Sequence, residues 1–114
     1  MTDPLGRLRE EALLERRRID DALEQARAAR SDQGDDEHDP EGSTAADDWS
    51  RFTALREASE RWLAEIDRAE QRRDAGLHGV CADCGRPIAP ERLAARPTAE
   101  RCRDCAERAE RRAR

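Results

Sequence analysis

Large aliphatic side chains are so scarce in this sequence that a thick hydrophobic core is excluded at the outset. Leu, Ile, Val and Phe together supply 14 of 114 residues, about 12%. That lies below the roughly 20% under which a chain cannot ordinarily offset its ordering entropy by burial. Charged residues make up 43% of the chain, and 27 acids against 22 bases leave a net charge of only −5. The sequence is a balanced polyampholyte that does not repel itself. Two routes to order remain. Helices can pair along a narrow alanine and leucine seam, or a bound metal can supply the folding energy that a core does not.

The same composition removes several functional classes. No run approaches the ~18 to 20 consecutive apolar residues of a membrane span, and Met1-Thr2-Asp3-Pro4 lacks the basic and apolar regions of a signal peptide. The protein is therefore expected in the cytoplasm. All 22 bases are arginines, a skew better explained by Arg- and Ala-rich coding than by recognition, because no compact basic block with interleaved aromatics occurs. Sequence-specific DNA binding is not expected. Three aromatics and 14 large aliphatics do not wall a concave pocket, and no nucleophile–base pair or glycine-rich phosphate loop is present. The chain reads as a non-enzyme.

The spacing predicts an all-α fold whose residues 1–76 form a long antiparallel two-helix hairpin. Thr2 or Asp3 is a candidate N-cap and Pro4 suits the first helical position. From residue 4 to 30, Leu5, Leu8, Ala12, Ile19, Ala22, Ala26 and Ala29 recur at three- and four-residue steps, with Leu23 flanking and Glu15 interrupting the stripe. A second helix over 44–75 starts at Thr44 as cap, carries Asp47 in its first turn and stops at Gly76. Its stripe is Trp49, Phe52, Leu55, Ser59, Trp62 or Leu63, Ile66 and Ala69. Arms of this size span roughly 40 to 48 Å at about 1.5 Å per residue. Trp49 either packs at the end of the seam or stays open to a partner, and packing is the favoured reading.

Residues 31–43 between the arms hold six acids and no lysine or arginine. Asp35, Asp36, Glu37, His38, Asp39 and Glu41 lie here among glycine, serine and proline, the composition of a turn. The segment reads as a solvated loop or as a carboxylate cluster delivered to a basic or metal-containing site elsewhere.

Cys81 and Cys84 form one C-x2-C pair and Cys102 and Cys105 another, with 17 residues between them. This is the spacing of a closed structural zinc site, in which four thiolates leave no open position for water. One structural Zn2+ is expected, iron being the alternative for a tetrathiolate. Gly85 fits a left-handed turn after Cys84, and Val80, Ile88, Leu93 and Leu77 should pack around the ion. His78 reads as a packing residue before the knuckle. Thr98 is a candidate cap for a last helix carrying Cys102 and Cys105, and Arg86, Arg101 and Arg103 are near enough in sequence to offset the thiolates. The zinc module spans 77–106 and a basic helical tail 107–114. Trp49, Arg92, Arg96, Arg108 and Arg111 are the candidates for contact with a partner.

Gly79-Val80-Cys81-Ala82-Asp83-Cys84-Gly85-Arg86-Pro87-Ile88, Arg92-Leu93-Ala94-Ala95-Arg96-Pro97 and Cys102-Arg103-Asp104-Cys105 resemble the zinc-finger region of the DksA/TraR family. The upstream hairpin with its acidic turn resembles that family's coiled coil. The resemblance implies a bacterial transcription regulator that binds RNA polymerase and not DNA, the hairpin entering the secondary channel so that its tip lies near the catalytic centre; separately, the chain is expected to be a monomer. The tip departs from the family's Asp-x-x-Asp-x-Ala: with Asp39 at its start, Gly42 replaces the second aspartate and Thr44 the alanine, so the turn is similar to that of short actinobacterial-type members. His78 replaces a tyrosine. The alternative reading is a zinc-stabilised coiled-coil adaptor that joins proteins without acting on polymerase.

Overall fold

A computed structural model describes residues 3–32 and 41–114 of the chain. Four helices follow in order: α1 (Pro4–Asp32), α2 (Glu41–Asp74), α3 (Pro90–Ala95) and α4 (Arg103–Ala113). Among the described residues no strand forms, and the lone ladder contact is an antiparallel bridge between Val80 and Pro87. Among the described residues no helix is long and apolar enough to cross a membrane.

Asp3 caps α1. Its carboxylate accepts the Leu5 N–H at 3.2 Å and its carbonyl accepts the Arg7 N–H at 3.0 Å, with Pro4 at the first helical position, where a missing donor costs nothing. α2 begins at Glu41, so Thr44 lies inside the helix and is not its cap. At the other end, Leu77 N–H reaches Arg72 C=O at 2.7 Å and Gly76 N–H reaches Arg73 C=O at 2.9 Å, with Gly76 at φ +76°. This crossed pair of bonds around a left-handed glycine closes α2. Asp35, Asp36, Glu37, His38 and Asp39 lie outside the described residues, as does the side chain of Glu41.

The chain divides into two compact units, one of residues 10–63 and one of residues 1–9 with 64–114. These limits cut across the expected division at 76 and 106. In the first unit α1 and α2 run antiparallel, burying Ala12, Ile19 and Leu23 on one side and Ser59 and Leu63 on the other. Leu23 is buried whereas Ala22 is half-buried, and Leu55 is 44% exposed, off the seam to which its spacing assigned it. Part-exposed ion pairs link the helices outside the buried seam: Arg16 to Glu60 at 3.5 Å, Glu60 to Arg56 at 3.7 Å and Arg56 to Asp20 at 3.4 Å. Trp49 is half-buried, and its carbonyl accepts the Thr53 hydroxyl at 2.8 Å. The Arg51 guanidinium stands 5.0 Å over the Phe52 ring.

In the second unit Leu5, Ile66 and Ala69 are buried. A chain of ion pairs runs beside them through Asp3, Arg73, Glu70, Arg9 and Asp67. Beyond Gly76 the backbone carries the cysteines, and a compact cluster of Cys81, Ile88, Ala99 and Cys105, flanked by Leu93 and Cys102, takes the place of a larger core.

Candidate metal centre

Each cysteine pair is positioned by a turn that the local sequence dictates. After Cys81 the chain folds so that Gly85 N–H reaches Cys81 C=O at 3.0 Å and Cys81 N–H reaches Arg86 C=O at 2.8 Å. Gly85 takes φ +74°, the left-handed conformation that the sequence assigned to it. Gly79 has φ +85°, and a Cβ there would stand 3.3 Å from Leu93 Cδ1, so a glycine is required on both counts. The second pair sits at the start of α4, with Cys102 as the N-cap residue and Cys105 in the first turn. Helix N–H groups and dipole there favour negatively charged sulfur.

Thr98 does not cap this helix. It is 3% exposed and its hydroxyl donates to Glu65 Oε2 at 2.9 Å, while Arg96 reaches the other oxygen at 3.2 Å. Pro97 and Thr98 are the middle of a turn closed by Ala99 N–H on Arg96 C=O at 3.0 Å, with proline at the position whose fixed φ suits it. His78 is exposed and does not pack; its Nε2 donates to Pro97 C=O at 2.8 Å. Leu77 is likewise 45% exposed. Arg72 donates to the carbonyls of Leu77 (3.3 Å) and Val80 (2.6 Å), and Arg92 to that of Arg101 (2.9 Å). Sequence reading missed these arginine-to-carbonyl bonds and the short helix α3, since nothing in local spacing marks which of 22 arginines faces a bare carbonyl.

The four sulfur atoms lie within 4.8 Å of one another, and Cys84 Sγ stands 3.8 Å from Cys102 Sγ. A tetrahedron with Zn–S bonds of ~2.3 Å has edges of about 3.8 Å, so the cluster has the dimensions of a tetrathiolate cage. All four cysteines are free of disulfides; Cys81 and Cys105 are buried, Cys102 half-buried and Cys84 exposed. Burial would raise the Cys81 thiol, but backbone N–H groups of Cys102, Cys84 and Asp83 outweigh it and lower it to about 6. Cys105 is pushed up to about 12, first by its hydrogen bond with Cys102 and then by burial. The cage therefore already holds one thiolate near neutral pH. The residues fit one structural zinc ion, held by Cys81, Cys84, Cys102 and Cys105 with no position left for a reactant.

Residues 76–111 match the family model described as the prokaryotic dksA/traR C4-type zinc finger. The likeness to that family is carried by this segment, about a third of the chain. It is 41% identical over 59 residues to the RNA polymerase-binding transcription factor DksA of Caulobacter vibrioides, a stretch covering 52% of this chain and 42% of that protein. An uncharacterized protein of Aquifex aeolicus is 43% identical over 49 residues, covering 43% of this chain and 34% of its own length. The chain thus spans less than half the length of these curated relatives. Its fold is similar to that of the transcription factor DksA2 from Pseudomonas aeruginosa, with a TM-score of 0.60 and 27% identity over 95% of this chain and 84% of that one.

Of the other candidate residues, Arg96 is tied to Glu65 and Arg92 to Arg101 C=O. Arg108 and Arg111 are exposed on α4, and Trp49 lies in the other unit. Of the three arginines expected to offset the thiolates, Arg101 pairs with Asp83 at 2.8 Å beside Cys84, whereas Arg103 pairs with Glu107 along α4 and Arg86 is exposed.

Proposed function

We propose that this protein is a non-catalytic, cytoplasmic transcription regulator that binds RNA polymerase directly. In this reading the two long helices enter the secondary channel, the acidic segment between them lies near the catalytic centre, and the zinc finger and α4 hold the channel rim. The observation that carries it is that the likeness to DksA2 runs over 95% of the chain, so that finger and helices occur together. The Caulobacter relative adds the partner, since it is named as RNA polymerase-binding. Six acids between residues 31 and 43 suit a site that holds a catalytic metal ion or basic side chains.

The test is a pull-down of the cognate RNA polymerase at low salt, followed by transcription in vitro with wild type and Asp39→Ala. Binding with a promoter response that Asp39→Ala weakens supports the regulator. Binding without any promoter response points to the zinc-stabilised adaptor, and absence of binding sinks the reading.

A further inference from the structure

α4 carries Arg108 and Arg112 four residues apart on one face. Like charges at that spacing repel, and neither arginine forms an ion pair with any described residue. Asp104, one turn before Arg108, is the customary partner at this spacing and is not used. Both arginines instead line an open cleft of about 600 Å3 whose other polar walls are Arg101, Asp83, Cys84 and Cys105. Cys84 is the exposed corner of the cysteine cluster, and Arg101 is fixed in the cleft by Asp83 at 2.8 Å.

Charge decides what such a cleft does. A zinc tetrathiolate carries a net charge of about −2 and Asp83 adds one more, so three arginines bring the metal-loaded cleft to neutrality. No excess positive charge is left to draw an anion from solution. The unfavourable spacing of Arg108 and Arg112 is explained when the compensating charge is the metal centre itself.

We propose that Arg101, Arg108 and Arg112 are the counter-charge of the zinc centre and set how firmly it keeps its ion. They offset the charge of the Cys84 thiolate at the most exposed corner, and so slow transfer of zinc from the four sulfurs to a competing ligand. Sequence proximity had pointed to Arg86 and Arg103; helical spacing brings Arg108 and Arg112 instead.

The experiment mixes the zinc-loaded full chain with excess chromogenic chelator at fixed pH and follows release at low and high salt. Arg108→Ala and Arg112→Ala should each release zinc about threefold to tenfold faster than wild type. Arg108→Lys, which keeps the charge, should stay within about twofold. Arg111→Ala removes the same charge from the same helix outside the cleft and should leave the rate unchanged. Wild-type release should quicken with salt as the counter-charge is screened, and the Arg108→Ala/Arg112→Ala double variant should respond little. Wild-type rates in both alanine variants, or equal acceleration by Arg111→Ala, would overturn the proposal. If the alanine variants fail to fold, a wild-type release rate indifferent to salt overturns it alone.

Discussion

Cys81 and Cys105 share one cluster yet hold their protons very differently, and the difference is set by backbone. Hydrogen bonds from N–H groups lower Cys81 from 9.0 to about 6, while the bond with Cys102 and burial raise Cys105 to about 12. In the metal-free fold the two act in opposite directions. The Cys81 contribution to stability is complete above its unfolded value of 9.0 and is lost as pH falls through about 6. The Cys105 contribution is present below 9.0 and is lost as pH rises through about 12. Near neutral pH zinc meets a thiolate at Cys81 and must displace the proton of Cys105. Zinc binding should therefore release protons and tighten with rising pH across the neutral range; calorimetric titrations in buffers of different ionisation enthalpy measure both, and pH-independent affinity would contradict the assignment. Thr98 makes a second residue-scale case. Its hydroxyl is buried on Glu65, so Thr98→Val should cost about 1 to 2 kcal/mol in a denaturant titration, the loss expected when a buried hydrogen bond to a charged group goes unmade, and Thr98→Ser should recover most of it.

Among the elements, α1 and α2 were legible because helical periodicity is written along the chain, and their faces were legible only in part. Ile19, Ile66 and Ala69 are buried where their spacing places them, but Leu55 is 44% exposed, and the part-exposed ion pairs of Arg16, Glu60, Arg56 and Asp20 link the two helices outside the buried seam. Periodicity specifies which residues share a face and not how the partner helix is rotated against it. α3 escaped notice because six residues are too few for a period, and Thr98 read as a cap because a threonine after proline looks the same whether its hydroxyl serves its own helix or a glutamate 33 residues away. Only the cysteine spacing fixed a tertiary contact outright. The seam yields a paired prediction. Ile66 is 0% exposed, so Ile66→Ala should destabilise by about 2 to 5 kcal/mol. Leu55→Ala should cost less than about 1 kcal/mol, since little of that side chain leaves water. Chemical denaturation followed by circular dichroism separates the two, and equal losses would mean that Leu55 is part of the core after all.

For the whole molecule, 14 large aliphatics in 114 residues leave the zinc finger without a core of its own beyond Ile88, Ala99 and the cysteines. Its backbone bonds, among them Cys81 N–H to Arg86 C=O, Ala82 N–H to Glu100 C=O and Ile88 N–H to Gly79 C=O, join loop segments whose ordering entropy so few apolar contacts do not offset. Structural zinc contributes about 10 to 16 kcal/mol of apparent free energy in small finger peptides, far more than burial of Ile88 and Ala99 supplies. Residues 10–63 contain none of the ligands and bury Ala12, Ile19, Leu23 and Leu63 along their own seam. Removing zinc with a chelator should therefore abolish amide-exchange protection at Cys81, Ala82 and Ile88, while the amides of Ile19, Leu23 and Leu63 remain protected. Hydrogen exchange read by NMR resolves the two groups. Unchanged protection in the finger after chelation would show that the fold there does not depend on its metal, and collapse of both groups would show that metal and seam fold as one cooperative unit.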